Sequence, residues 1–352
     1  MGLTNPGSLP TSIRAVKLTY RSLDHTGELK ALSGALIYPD DNLTHPIMSI
    51  QHGTVTKRTA VASVNPMNSS VGMSGLFTAS QGYVTLVPDY AGFGDSHEMH
   101  PYMYAESLAN SVIDFMRAAR TYCAEQDTPL NEGLYLTGYS EGGFASLASQ
   151  KKMETELSDE FSLTATAPMA GPYDLHVIAR HILQGNSYNR PAYIGFMFVA
   201  YDEIYAFQDL TEVFDSPYDQ QIAGFYNGEN DFFEINNQLP PSISDLIKFD
   251  FQQRFVGSTE LEYSAAFEDN SLLGWSSVKP TRFYHSMADS TVPYFIAEAT
   301  VADLIANGAE EVELVGIPDA NHSTAGIPAI LAMLEWFATY QTNPVSIVDQ
   351  IQ

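Results

Sequence analysis

The chain has 352 residues, of which 45% are apolar or aromatic, and this is enough to bury one large core. Its 42 acidic and 16 basic residues give a formal net charge of -26, and such a surface repels nucleic-acid phosphates and anionic lipid head groups. We therefore expect no nucleic-acid partner; solubility is the simplest interpretation of the charge, and exclusion of anionic substrates is the alternative.

Cysteine content and hydropathy set further limits. The single cysteine, Cys123, excludes an internal disulfide and lies in a stretch with helical spacing, which favours a core position. The longest apolar run, 327–338, contains Glu335 and is too short for a membrane span. Residues 1–10 lack the basic-then-apolar pattern of a signal peptide, so we expect either a cytosolic protein or one whose leader has been removed.

Strand-like and helix-like segments alternate along most of the chain. Two alternating β-branched stretches, 15–22 and 32–38, predict an antiparallel hairpin. Short apolar runs that end in small or polar loops follow at 45–51, 83–87, 134–137, 163–168, 281–284 and 312–316, and segments with helical spacing cover 107–124, 143–157, 294–306 and 325–339. This alternation predicts an α/β fold with a mainly parallel sheet and helices on both faces. In such sheets the chemistry gathers at the carboxyl ends of the strands.

Residues 174–278 interrupt this alternation and are rich in aromatic side chains. We interpret them as a mostly helical insertion that caps the sheet, so that 1–173 and 279–352 together form one catalytic core. The apolar stretch 193–201 of the insertion is a candidate wall for a substrate pocket. Packing between cap helices is the alternative for the same stretch.

One pentapeptide, Gly138-Tyr139-Ser140-Glu141-Gly142, has the Gly-x-Ser-x-Gly pattern, which occurs nowhere else in the sequence. It follows a strand-like run and precedes a helix-like one, as a nucleophile elbow requires. The serine of such a turn adopts a strained backbone, and the two glycines relieve collisions with neighbouring elements. We therefore predict that Ser140 is a catalytic nucleophile; a glycine-rich turn with an incidental serine is the alternative.

The base and the orienting acid are expected in the loops that follow the last two strands. His322 follows the run 312–316 and precedes a helix, so it is the predicted base. Asp289 lies in the loop after 281–284 and would hold the imidazole in the correct tautomer. Asp319, three residues before His322, is the rival acid.

Two backbone N–H groups are expected to bind the oxyanion of a tetrahedral intermediate. The helix that starts at Glu141 directs its free N–H groups to this point, so the Glu141 N–H is the first candidate. Gly53 and Thr54 follow an early strand and are candidates for the second donor, with an ordinary turn as the alternative. A carboxylate at Glu141 is unfavourable beside an oxyanion unless the side chain turns away.

Tyr139 next to the serine, together with Phe196 and Phe198 in the insertion, are candidate substrate-binding residues because they present large apolar surfaces. No cluster of histidine and carboxylate residues has metal-ligand spacing, so we expect no metal site.

Taken together, these segments resemble the secretory-lipase branch of the α/β-hydrolases, which comprises fungal lipase-A-type enzymes and related bacterial secreted esterases. The similar stretches are 51–54, 87–94, 100–102, 107–119, 138–143 and 289–293. The resemblance implies the α/β-hydrolase fold, hydrolysis of acyl esters without a cofactor, a helical cap between the sixth and seventh strands, and a secreted or periplasmic location. Two positions depart from the family pattern: His285-Ser286 stands where His-Gly is usual, and Glu141 occupies the elbow.

The sequence thus predicts a serine carboxylic ester hydrolase for small-molecule esters with an apolar or aromatic acyl group. A serine peptidase or amidase on the same fold is one alternative, and a non-catalytic binding protein is another.

Overall fold

The computed structural model describes residues 12–257 and 262–341 and centres on one sheet of eight strands. The strands are β1 (Ile13–Leu23), β2 (Leu29–Pro39), β3 (His45–Gln51), β4 (Val84–Pro88), β5 (Leu130–Tyr139), β6 (Ala165–Met169), β7 (Thr281–Ser286) and β8 (Val312–Ile317). Their order is β1-β2-β4-β3-β5-β6-β7-β8. The pairs from β4 to β8 are parallel, whereas β2 runs antiparallel to β1 and β4. The predicted α/β fold, the mainly parallel sheet and the opening hairpin are confirmed.

Helices cover both faces of the sheet. The described residues form α1 (Ser70–Ser80), α2 (Ala105–Glu125), α3 (Glu141–Thr155), α4 (Leu175–Gln184), α5 (Pro191–Tyr205), α6 (Leu210–Val213), α7 (Tyr218–Phe225), α8 (Phe232–Asn236), α9 (Ile243–Leu246), α10 (Phe249–Val256), α11 (Glu262–Asp269), α12 (Tyr294–Ala306) and α13 (Gly326–Ala338). The four helical segments predicted from spacing correspond to α2, α3, α12 and α13, within two residues at each end. Cys123 is buried in α2, as expected.

The two faces can be traced along β2, where alternate side chains enter different cores. Leu32, Leu36 and Tyr38 belong to one buried cluster, and Ala35 and Ile37 belong to the other. A strand places successive side chains on opposite faces, so the two clusters lie on opposite sides of the sheet. Helices α2, α3 and α12 contribute to the first core, and α1 and α13 contribute to the second.

Helix α1 was not predicted from the sequence. Serine, glycine and threonine make up much of it, so apolar residues show little helical spacing. Its start is fixed by a cap, because Ser69 accepts a hydrogen bond from the N–H of Gly72. Gly75 lies against Ile37 and Val87, which brings the helix close to the sheet.

Between β6 and β7, the described residues form α4 to α11 and add no strand to the sheet. The Asp174 carboxylate caps α4 by accepting from the N–H of Val177 at 3.0 Å. These helices share an aromatic core around Phe198, and that core is continuous with the buried cluster on the α2 and α3 face. Across residues 12–257 and 262–341, the longest apolar helices fall short of what a membrane crossing requires.

Candidate active site

Three loops at the carboxyl ends of β5, β7 and β8 bring a serine, an aspartate and a histidine together. The Ser140 Oγ lies 3.0 Å from Nε2 of His322, and Nδ1 of His322 lies 2.6 Å from the Asp289 Oδ2. All three residues are buried, each with less than a tenth of its surface exposed. A parallel sheet is expected to bring such loops together, because the carboxyl ends of its strands lie at the same edge.

Ser140 occupies a strained turn between β5 and α3. Its φ of 60° and ψ of -120° lie in a region that non-glycine residues rarely adopt. A Cβ at Gly142 would collide with the carbonyl oxygen of Gln51, and a Cβ at Gly138 would collide with that of Gly142. The two glycines of the pentapeptide are therefore required by close backbone approach, and the turn packs directly on the end of β3.

This close approach predicts a large stability effect for Gly142→Ala. We expect the free energy of unfolding to fall by about 1–3 kcal/mol, because the added methyl group must displace backbone atoms of β3. Urea unfolding of both variants measures the effect, with Gly224→Ala in α7 as the matched control. At Gly224 a Cβ meets open space, so alanine should stabilise the helix by about 0.5–1 kcal/mol. Equal stability of the two variants would contradict the tight packing of the turn.

The hydrogen-bond partners define the tautomer of His322. A carboxylate accepts only, so Nδ1 of His322 donates to Asp289 and Nε2 is left to accept from the Ser140 hydroxyl. The other Asp289 oxygen accepts from the N–H groups of Thr291 and Val292, each at 2.9 Å. Every atom in the row therefore has the donor or acceptor role that proton transfer from the serine requires.

Asp289 is held in its charged form. Burial of its carboxyl raises the pKa, but hydrogen bonds from His285, His322 and the Val292 N–H outweigh burial and hold that pKa well below its usual range. Asp319, the rival acid, is exposed and has a φ of 54°, and the structure brings Asp289 rather than Asp319 to the imidazole.

His285 and Ser286 occupy the position where the resembled family usually has His-Gly, so only Ser286 departs from that pattern. Both residues support the loop after β7 that carries Asp289, which we call the acid loop. His285 Nε2 lies 2.8 Å from the carbonyl oxygen of Val292 and 3.4 Å from the Asp289 Oδ2. The Ser286 hydroxyl donates to the carbonyl oxygen of Ala320, in the loop of His322. A serine at this position therefore joins the acid loop to the base loop, a contact that the sequence alone did not reveal.

The Glu141 side chain turns away from Ser140 into the protein. Its Oε1 lies 2.6 Å from Nε2 of His100, and both side chains are almost fully buried. Nδ1 of His100 lies 2.7 Å from the carbonyl oxygen of Ala91, which can only accept, so this nitrogen is protonated. One further proton lies between Nε2 and Oε1, since two acceptors would repel each other at this distance. The pair as a whole carries no net charge.

The loop after β3 packs on the nucleophile turn. A Cβ at Gly53 would lie 3.0 Å from the Tyr139 carbonyl oxygen and 3.7 Å from the Ser140 Cβ. The adjacent Thr54 has its Oγ1 3.0 Å from the hydroxyl of Tyr102. The predicted loop of the second oxyanion donor is thus next to the serine.

A small, mostly apolar cavity reaches Ser140. It has a volume of about 40 Å³, measured as the space that the centre of a water molecule can occupy. Its lining combines the segment between β4 and α2, the nucleophile turn, the loop after β6, the region of α4 and α5, and the loop after β7. The lining residues are Tyr102, Met103, Ser140, Pro172, Ile178, Ile182, Tyr188, Tyr193, Ile194, Met197, Thr291 and Val292. The insertion therefore supplies much of the wall of this cavity.

Phe198, one of the candidate substrate-binding residues, lies outside the lining of this cavity. Phe198 is fully buried and packs against the rings of Phe214, Phe251, Phe255, Tyr263 and Phe267. It lies in the aromatic core of the insertion, because α5 turns its 193, 194 and 197 positions to the cavity and its 198 position away.

Phe196 is also buried, between two other rings. It stacks on Tyr102 at 4.4 Å and on Tyr226 at 4.6 Å, and so stands behind the cavity lining. Tyr139, the third candidate, donates its hydroxyl proton to the His322 carbonyl oxygen at 2.7 Å. The centroid of the Tyr139 ring lies 5.3 Å from that of the His322 ring, so Tyr139 contacts the loop after β8 that carries the predicted base.

Within residues 12–257 and 262–341, histidine, cysteine and carboxylate side chains form no group of three or more that could hold a metal ion.

No protein-family model and no curated protein matches the chain. Solved structures do match: a protein of Legionella pneumophila assigned to the hydrolases has 25% identity and a TM-score of 0.88, with 96% of this chain and 91% of that chain covered. The rice cell wall degrading esterase LipA of Xanthomonas oryzae has 29% identity and a TM-score of 0.82, with 96% and 90% covered. Candida antarctica lipase A shares the fold at 15% identity and a TM-score of 0.71, with 97% and 85% covered.

The sheet and these likenesses show the α/β-hydrolase fold, and the similar structures support carboxylic ester hydrolase activity. Among the α/β-hydrolases, the chain resembles the lipase-A branch of esterases and lipases, as the sequence predicted.

Proposed function

We propose that the protein hydrolyses small esters by acyl transfer through Ser140, His322 and Asp289. The observation that supports this most directly is the row of short contacts, 3.0 Å from serine to imidazole and 2.6 Å from imidazole to carboxylate. Ser140 attacks the acyl carbon while His322 takes its proton, and the imidazolium formed is stabilised by Asp289. His322 then protonates the leaving alcohol and activates the water that releases the acid.

The N–H groups of Glu141 and Thr54, with Gly53 allowing close approach of the backbone, bind the oxyanion in this proposal. The Glu141 N–H lies at the start of α3, where the helix dipole favours negative charge. Each donor lowers the barrier by about 3 kcal/mol. The inward turn of the Glu141 carboxylate, paired with His100, removes the repulsion that an adjacent free charge would cause.

Residues 174–278 act as a cap over a core formed by 1–173 and 279–352. The support for this division is that α4 and α5 contribute Ile178, Ile182, Ile194 and Met197 to the cavity over Ser140. A substrate therefore contacts both parts of the chain when it is bound.

The cavity favours esters with a short apolar acyl group. Its lining beside Ser140 consists mostly of apolar and aromatic side chains, and the enclosed space is small. The lining thus supports the apolar part of the predicted specificity, and the aromatic part stays a prediction. The lining residues include no carboxylate for a charged amino terminus, which favours an esterase over an aminopeptidase.

A ladder of p-nitrophenyl esters tests this specificity. We expect kcat/KM to be highest for acetate and propionate and to be at least about tenfold lower for octanoate, because a chain that overfills a packed site costs a few kcal/mol. Met197→Ala should move the optimum to longer chains, since Met197 lines the cavity.

Phe198→Leu is the matched control for the ladder. It changes the same helix but faces the aromatic core, so it should lower stability and leave the order of preference unchanged. An identical chain-length profile in the parent protein and in Met197→Ala would refute an acyl site in this cavity.

A further inference from the structure

The segment 100–102, between β4 and α2, contacts both loops that are expected to bind the oxyanion. The imidazole of His100 meets the carboxylate of Glu141 at 2.6 Å, and the hydroxyl of Tyr102 meets the Thr54 Oγ1 at 3.0 Å. Glu141 begins α3, directly after the turn that follows β5, whereas Thr54 belongs to the loop after β3. One short segment therefore spans the two sides of the site.

His100 is fixed on every side. Its Nδ1 donates to the carbonyl oxygen of Ala91 at 2.7 Å, and its ring lies 4.5 Å from that of Phe93 and 5.7 Å from that of Phe196. Only 3% of His100 is exposed. With its second nitrogen bonded to Glu141, the imidazole holds the first residue of α3 at a defined distance from the β4 loop.

Tyr102 is fixed in the same way. Its ring stacks on Phe196 with centroids 4.4 Å apart and planes 4° apart, so its hydroxyl has little freedom to leave Thr54. The N–H of Tyr102 donates to the carbonyl oxygen of His100 at 2.8 Å. This bond and the restricted backbone of Pro101 fix the spacing between the two side chains.

We propose that His100 and Tyr102 are positioning residues that set the distance between the two oxyanion donors, His100 through Glu141 and Tyr102 through Thr54. The inference rests on the proposed function, because it needs those two N–H groups to bind the oxyanion. Neither side chain touches the substrate carbonyl in this proposal. Both act on kcat, since an oxyanion forms only in the transition state.

A double-mutant cycle tests the Tyr102 contact. Tyr102→Phe and Thr54→Val each remove one hydroxyl of the same hydrogen bond, and each should lower kcat about tenfold with KM within about twofold. The double variant should lose no more than either single variant, because the second change finds the bond already broken. Thr54→Ser restores the hydroxyl and should recover most of the lost kcat.

The second cycle joins His100→Phe and Glu141→Leu. His100→Phe breaks the contact with Glu141 and leaves a buried carboxylate without its partner, so it should lower kcat by about a hundredfold. Glu141→Leu breaks the same contact from the other side, so the double variant should lose no more kcat than His100→Phe alone. If the His100 variants do not fold, Glu141→Leu alone decides the His100 contact, since it breaks the same bond and should lower kcat with KM within about twofold.

Tyr226→Phe is the matched control, because Tyr226 also stacks on Phe196. Its buried hydroxyl donates to the Ala192 carbonyl oxygen and not to a residue of the proposed oxyanion site. Tyr226→Phe should change stability without changing kcat. Additive losses in the first cycle, or a loss in Thr54→Val with none in Tyr102→Phe, would overturn the positioning role. An active Ser140→Ala variant would instead refute the proposed function, so the two failures are distinguishable.

Discussion

Ser140→Ala should lower kcat for p-nitrophenyl acetate by about 10⁶-fold while the protein stays folded. The reason is that the hydroxyl 3.0 Å from His322 is the attacking group in the proposed mechanism, and alanine leaves the imidazole without a nucleophile to activate. Labelling with a fluorophosphonate probe, followed by mass spectrometry to locate the labelled residue, tests the same assignment directly. It should label the parent protein at residue 140 and leave the variant unlabelled.

Ser323→Ala is the control for this experiment, since Ser323 is exposed and adjacent to His322 in the chain. Its activity and labelling should match those of the parent protein. Labelling of a different serine, or substantial esterase activity in Ser140→Ala, would refute the proposed nucleophile.

Asp289→Asn should lower kcat by about 10⁴-fold. The amide keeps the size of the side chain, but its NH₂ group can donate to Nδ1 of His322 and so favour the tautomer that cannot accept the Ser140 proton. Steady-state kinetics on the same ester measures the loss, and circular dichroism checks that the variant is folded.

Asp319→Asn is the matched change at the rival acid. Asp319 is exposed, and asparagine readily adopts its φ of 54°, so kcat should stay within about twofold of the parent value. If Asp319→Asn loses activity and Asp289→Asn keeps it, the assignment of the acid is reversed.

The proposed nucleophile, acid and base could be predicted from the sequence because each depends on a local pattern that repeats along the chain. A short apolar run followed by a loop marks the end of each strand, and parallel strands bring these ends together whatever their order. The residues Ser140, Asp289 and His322 could therefore be named before the sheet order β4-β3-β5 was known.

The partner of Glu141 was not predictable, because it depends on that order. His100 lies 41 residues from Glu141 in the chain and follows β4. In the sheet, β3 lies between β4 and β5. The cavity wall posed a different difficulty. Nearly every side chain from 193 to 201 is apolar, so the sequence contains no polar face to show that Met197 lines the cavity while Phe198 enters the core.

The strand that precedes His322 is the last in the sheet order, and its side chains are only partly buried. Edge strands detach at a lower free-energy cost than central ones, because fewer interactions hold them. Fraying of β8 would therefore withdraw the imidazole while β5 and its serine remain in place. Heat inactivation of this protein should accordingly be a local event that precedes the unfolding of the sheet. The hydrogen bond from the Tyr139 hydroxyl to the His322 carbonyl oxygen opposes this local unfolding.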